Sequence, residues 1–478
     1  MENYTKLFHK FEIDNDLFSI NIKGHCFWDY IRYNVYEEIN CRKYKKLSIK
    51  RKRSYRLFLK EFVAYIKMFL FQLFFQKKKY DIMLFNYSRT GVIDGKEVNI
   101  HTYPLVKNLK DHFNILLADF YSLKADLSGY PCDRLKMSPF SFIARFKSRF
   151  MHFSKSERDL FSELSLKIKQ MFGENIDIYD CAKRIFSFQV TFEKTCLVLF
   201  KYYNPRILIY CDDGGVKGLI NAAHKLGILA VDYQHAYVAF LNIHYNYPAS
   251  TPWNIVKNNV SDYVFTFGDY WNSEYKLPVK PISVGFPFFD MQMASYCNKQ
   301  VNVSANEKSR SIIVISVLIS RDALMKIAME LSELLPDHTI YYKLRYEEYD
   351  DWHNYYPSDF LKRKNIVIVD SNHEPLYSYF NRCTYQLGTE STAMYEGMAC
   401  GLTTFILKVG RYEGMKKVYS SDCAFLVSSA SEVADKIRLG IKPNNVLVRE
   451  NIFKPNSVQN IKSTINEILG SSNLPLTR

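Results

Sequence analysis

From residue 80 onward, short apolar runs alternate with longer amphipathic stretches. The runs YDIMLFN (80–86) and FNILLADF (113–120) have the length and side-chain content of strands. RILIY (206–210) is apolar on both faces, as a strand inside a parallel sheet must be. A helical pattern through Lys225 follows it, and ILAVDY (228–233) is the next strand, which makes a βαβ unit. DYVFTFG (262–268) and ISVG (282–285) continue the alternation. A polar stretch without apolar period, NKQVNVSANEKSR (298–310), reads as a domain boundary. Beyond it the alternation restarts with SIIVISVL (311–318), TIYYKL (339–344), NIVIV (365–369), TYQL (384–387) and TTFIL (403–407). The expected fold is therefore α/β, two Rossmann-like parallel-sheet domains facing across a cleft, with ligands at the strands' carboxyl ends. The expected boundaries are 1–297 for the first domain and 298–455 for the second, with a closing helix and tail over 456–478 that return to the first.

Before the first strand the pattern differs. LFLKEFVAYIKMFLFQLFFQ (57–76) has polar positions three to four apart, giving a narrow polar stripe on a wide apolar helix. Its charges make spanning a bilayer costly, whereas lying in the interface is cheap. Basic residues flank it: Arg42, Lys43, Lys45, Lys46, Lys50, Arg51, Lys52, Arg53 and Arg56 before, and Lys77, Lys78 and Lys79 after. Membrane attachment on an anionic surface is expected, and a helix buried in the first domain with solvated flanks is the alternative.

The net charge of +15 over 478 residues fits a phosphate-seeking protein, although no RNA- or DNA-binding module is visible and nucleic acid is not an expected partner. Ten cysteines lie singly with no Cys-x-x-Cys pair, which argues against zinc fingers and disulfide frameworks and suits a reducing cytoplasm. The polar start shows no secretory signal. No metal site is evident.

Three constellations carry candidate chemistry. Gly388, Thr389, Glu390, Ser391 and Thr392 follow a strand and open a helix, where free N–H groups and the helix dipole favour phosphate. Glu396, a turn further on, is placed to accept hydrogen bonds from ribose hydroxyls; an ordinary N-cap with a helical Glu gives the same pattern. Lys343, Arg345 and Glu348 end another strand of that half, where the two cations can neutralise a diphosphate; a surface ion-pair network is the alternative. In the first half Asp212 and Asp213 end a strand before two glycines, and Gln234, His235, His244 and Tyr247 end or follow the next. A carboxylate or imidazole there is a candidate base, and Gln234, His244 and Tyr247 are candidate acceptor or sugar contacts; turn-forming acids and a satisfied core histidine remain open.

Several blocks together resemble GT-B glycosyltransferases of bacterial capsule and O-antigen assembly. They are AAHKLGILAVDYQHAYVAFLNIHYNYP (222–248), FGDYW (267–271), VGFP (284–287), YYKLRYEEYDDW (341–352) and LGTESTAMYEGMACG (387–401). GHCFWDYIRYNVYEEI (24–39) and DGKEVNIHTYPL (94–105) are similar to the family's beginning. Gln234-His235-Ala236 departs from the family's Gln-His-Gly, and Lys343-Leu344-Arg345-Tyr346 from its Lys-x-His-Pro. Asp212-Asp213-Gly214 is similar to the acid-acid-Gly motif of bacterial sialyltransferases, which implies Asp213 as base. The resemblance implies a metal-independent transferase without a cofactor, acting from the cytoplasmic face of the membrane. Its donor would be a nucleotide sugar and its acceptor a growing polysaccharide or lipid-linked oligosaccharide. A CDP-polyol phosphotransferase, a CMP-ulosonic acid transferase and a nucleotide-sugar 2-epimerase share the fold. A basic membrane- or nucleic-acid-binding protein without catalysis is the alternative of another class.

Overall fold

A computed structural model describes residues 2–43, 62–63, 66–67, 79–86, 89–120, 129–297, 308 and 310–471. The expected interfacial helix over 57–76 lies almost wholly outside the described residues, as do the basic clusters and most of the boundary segment 298–310. No helix among the described residues is long and apolar enough to cross a membrane.

The first sheet is built from β1 (Ile82–Phe85), β2 (Ile115–Asp119), β3 (Asp133–Lys136), β4 (Ile207–Tyr210), β5 (Leu229–Tyr233), β6 (Tyr263–Thr266) and β7 (Pro281–Ser283). All seven run parallel in the order β3-β2-β1-β4-β5-β6-β7. The order reverses between β1 and β4, whose register pairs Met83 with Leu208, and a crevice opens there. Alternate side chains feed opposite cores, which explains the unbroken apolar runs. Ile82, Leu84, Ile207 and Ile209 enter one core. Met83, Phe85, Leu208 and Tyr210 enter the other.

Helices α1 (Glu2–Asp14) and α2 (Phe27–Lys43) form a module ahead of this sheet. They are followed by α3 (Thr102–Leu109), α4 (Ser138–Ser148), α5 (Lys155–Phe172), α6 (Ser187–Tyr203) and α7 (Lys217–Lys225). Phe8, Phe11, Trp28 and Ile31 of the module bury against Phe161 and Ile168 of α5 and against Ile243 and Tyr247 in the loop after β5. That loop is thereby pinned from below.

The second sheet comprises β8 (Ser311–Ile315), β9 (Thr339–Lys343), β10 (Ile366–Val369), β11 (Tyr385–Gly388), β12 (Thr403–Leu407) and β13 (Phe425–Val427). It is also wholly parallel, ordered β10-β9-β8-β11-β12-β13, so its crevice lies between β8 and β11. Helices α8 (Arg321–Leu334) and α11 (Ala430–Arg438) cover one face. Helices α9 (Leu376–Arg382) and α10 (Thr392–Ala399) cover the other, and Met394, Tyr395 and Met398 of α10 join a core continuous with Trp271 and Phe289 of the first domain.

The chain then crosses back, and α12 (Ser457–Ser471) packs on α3. Trp271 Nε1 donates to Ile452 O (2.8 Å), Lys454 N to Phe267 O (2.7 Å) and Ser457 N to Asp290 Oδ2 (2.9 Å). A Cβ on Gly268 would sit 2.3 Å from Asn451 O, and one on Gly285 (φ +97) 2.3 Å from Lys454 O. The glycines of FGDYW and VGFP therefore serve this crossing, by letting two backbones touch.

Candidate functional site

Asp212 follows β4 at the crevice of the first sheet, in a left-handed conformation (φ 73) that Asp tolerates better than most residues. Its Oδ1 accepts from Gly214 N (3.0 Å), and its own N–H donates to Asp232 Oδ1 (3.0 Å). His244 Nε2 lies 3.6 Å from Asp212 Oδ1, and the imidazole is wedged edge-on to Tyr33 (4.9 Å between centroids). A Cβ on Gly214 would fall 2.7 Å from His244 Cβ, so the glycine is what allows this approach. Burial pushes the His244 imidazole down to about 3, with Lys217, Arg32 and Arg411 adding to the effect. Burial raises the Asp212 carboxyl, opposed by His235, the Gly214 N–H and Lys217. A carboxylate made more basic beside a neutral imidazole is suited to taking up a proton. His235 is half-buried, and burial holds it near 4 against the pull of Asp212. Asp213 lies in the turn 213–215, and its side chain is outside the described set.

The other first-domain candidates have structural partners. Gln234 accepts from Phe267 N (2.8 Å) and donates to Ala236 O (2.9 Å), which fixes the loop. Tyr247 donates to Asp29 Oδ1 (2.6 Å), accepts from Lys217 Nζ (3.1 Å) and lies under the Arg32 guanidinium (4.1 Å). Both residues position the loop that carries His244.

In the second domain Gly388 ends β11, and Ser391 caps α10 by accepting from Ala393 N (3.2 Å). Thr392 Oγ1 accepts from Tyr237 N of the first domain (2.9 Å). Glu390, in the loop before α10, is buried. Glu396 is 1% exposed, and Arg89 of the first domain reaches it at 3.7 Å. Burial raises the Glu396 carboxyl, opposed by Arg89 and Tyr377.

Lys343 is buried and spends its ammonium on Tyr349 Oη (2.6 Å), Ser371 O (2.7 Å) and Asn372 Oδ1 (3.2 Å). Arg345 is half-exposed against Glu347 (3.2 Å). Glu348 accepts from Arg345 N (2.8 Å) and Tyr356 Oη (2.9 Å). The loop after β5, which carries His244, thus meets the first turn of α10 at Tyr237 and Thr392, while Lys343 and Glu348 brace the β9 loop.

Sequence reasoning missed Arg89, Glu37 and Arg411. Arg411 follows β12, and its Nη1 lies 3.8 Å from Glu37 Oε1 of α2, a further polar contact between the halves. Its signal was position alone, a cation just past a strand's carboxyl end.

A cavity of about 390 Å³ opens at the β1/β4 crevice, within the range of small-molecule sites. Phe142, Phe188, Phe192 and Tyr210 supply apolar walls, while Arg145 and Asp212 supply charge. Among the described residues no cluster of three or more His, Cys, Asp or Glu is placed to hold a metal ion.

No protein-family model matches the chain, and no curated protein sequence matches it. Among solved structures, UDP-GlcNAc 2-epimerase from Methanocaldococcus jannaschii is similar at TM-score 0.48 and 12% identity, over 81% of this chain and 99% of that one. The S. aureus MnaA–UDP co-structure gives 0.46 and 11%, over 82% and 97%. Acinetobacter baumannii MurG gives 0.46 and 10%, over 81% and 99%. At these TM-scores the likenesses carry no argument. Strand order and direction show two Rossmann-like parallel-sheet domains.

Proposed function

We propose that this chain is a glycosyltransferase taking a nucleotide-activated sugar in the second domain and an acceptor in the first. The observation that carries the reading is the Asp212–His244 pair at the first sheet's crevice, on whose side the loop after β5 meets the first turn of α10 through Tyr237 and Thr392. The nucleotide belongs at the β8/β11 crevice, with its phosphates toward α10. Asp212, or Asp213 beside it, takes the proton of the acceptor hydroxyl as that oxygen attacks the anomeric carbon. The bond from that carbon to the diphosphate breaks as the new one forms. The cavity at β1/β4 has Asp212 in its wall, which offers an acceptor room of its own and favours transfer over epimerisation.

The acceptor we envisage is a lipid-linked bacterial surface polysaccharide, reached from the inner face of an anionic membrane through 57–76. Flotation with phosphatidylglycerol liposomes tests attachment: a Lys/Arg-to-Ser variant of 50–56 and 77–79 should stay in solution. Thermal-shift screening against UDP, GDP, CMP, CDP and dTDP tests the donor. A ligand of the native state at a hundred times its Kd stabilises by about 2.7 kcal/mol, so a true donor nucleotide must raise the melting temperature. No shift with any of the five overturns the reading.

A further inference from the structure

The cleft needs a cation with hydrogen bonds to spare, and Lys343, whose ammonium is already met, does not offer one. We propose that Arg411 is the cation that binds the donor's diphosphate, and that Glu37 of α2 holds its place while the cleft is empty. The inference rests on the nucleotide-sugar reading above and names the residue that completes it.

The turn carrying Arg411 straddles the β8/β11 crevice. A Cβ on Gly410 (φ +62) would meet Ser320 Oγ, on the loop after β8, at 2.2 Å. A Cβ on Gly414 would meet Glu390 Cβ, on the loop after β11, at 3.6 Å, and Tyr237 of the facing domain at 3.4 Å. Arg411 thus sits where the strand order reverses, beside the first turn of α10.

Its side chain is 14% exposed, and its buried Nε has no hydrogen-bond partner. Glu37 at 3.8 Å is beyond hydrogen-bond range, so this guanidinium is paired in charge but poorly met in hydrogen bonds. Buried N–H groups left in that state are costly, and a diphosphate offers the missing acceptors in the fork geometry a guanidinium prefers. Glu390, Tyr36 and Tyr237 also face Arg411 and keep the site from being purely cationic. An incoming diphosphate must therefore displace Glu37 rather than fill an open positive hole. This gives the block 24–39 a role: it carries the carboxylate that guards the donor site and the Tyr33 ring that packs on His244.

Calorimetry with inorganic pyrophosphate, and with the nucleoside diphosphate giving the largest thermal shift beside its parent nucleoside, tests the proposal. Arg411→Gln should weaken both phosphorylated ligands by roughly tenfold to a hundredfold and leave the nucleoside unchanged. Glu37→Gln, which keeps size and polarity, should tighten both. Unchanged diphosphate affinity in Arg411→Gln, or equal losses for nucleoside and diphosphate, overturns the assignment. Unchanged affinity in Glu37→Gln overturns the guarding role, whether or not the arginine variant folds. Arg411-dependent pyrophosphate binding without any nucleotide binding would uphold the site while removing the nucleotide-sugar reading.

Discussion

Arg32→Met removes a guanidinium that is 1% exposed and joins three parts of the first domain. Its Nε and Nη2 donate to the two Glu12 oxygens (2.7 and 3.0 Å), Nη1 to Ile243 O (2.5 Å) and Nη2 to Asn246 O (3.3 Å). Methionine fills much of the space but leaves the Glu12 carboxylate, 0% exposed, with Trp28 Nε1 (2.8 Å) as its remaining side-chain donor. Adding four charge-assisted bonds at about 1.5–3 kcal/mol each would overstate the loss, because burying the guanidinium had already cost part of that gain. Breaking one side of a buried pair is the better guide and gives about 3–5 kcal/mol. Glu12→Gln with Arg32→Met removes both buried charges and should recover most of the loss. Urea denaturation followed by tryptophan fluorescence measures it, with Trp28 inside the network. A single variant within about 0.5 kcal/mol of wild type refutes the reasoning, since surface substitutions fall in that range. So does a double variant no better than the single. The loss should reach catalysis too, because α2 places Tyr33 and Glu37 in the cleft.

Asp212→Asn should lower turnover by about a hundred- to ten-thousandfold, as removal of a general base does, and full activity would move the base to Asp213 or His235. The same variant should melt higher at neutral pH. Burial raises the Asp212 carboxyl, so just above the ordinary carboxylate pKa the folded state holds more protons and wild-type stability falls as pH rises; the variant lacks that slope. Lys343 has the opposite sign: burial lowers its ammonium to about 8 from 10.5, so the unfolded chain holds the extra proton and stability rises with pH between those values. Thermal melts of Lys343→Met should show that rise flattened relative to wild type, and an identical slope would contradict the burial argument. Gly268→Ala should cost about 1–3 kcal/mol by overpacking against Asn451 O and expose the crossing near 445–456 to limited proteolysis; an unchanged digest would sink the close-approach account.

The inner strands and their division into two parallel sheets were legible in the sequence, because a strand buried on both faces must be apolar at every position; the edge strands Asp133–Lys136 and Phe425–Val427, partly exposed, were not. Ile207–Tyr210 and Ser311–Ile315 advertise themselves within five residues. Which polar side chains are free to act is a different kind of fact. Lys343 looks like a phosphate ligand from its place at a strand end, yet Ser371 and Asn372, 28 and 29 residues away, consume its donors. Nothing beside them in the chain marks Glu12 and Arg32 for burial; α1 and α2 bury them by folding against the loop at 243–247. Arg411 is marked only by its place past a strand end, and Glu37, the carboxylate that meets it, lies on the other domain. Hydrophobic period is fixed by neighbours along the chain, so sequence carries it. Hydrogen-bond satisfaction depends on groups hundreds of residues apart, so only the tertiary structure decides which charges the fold has already used.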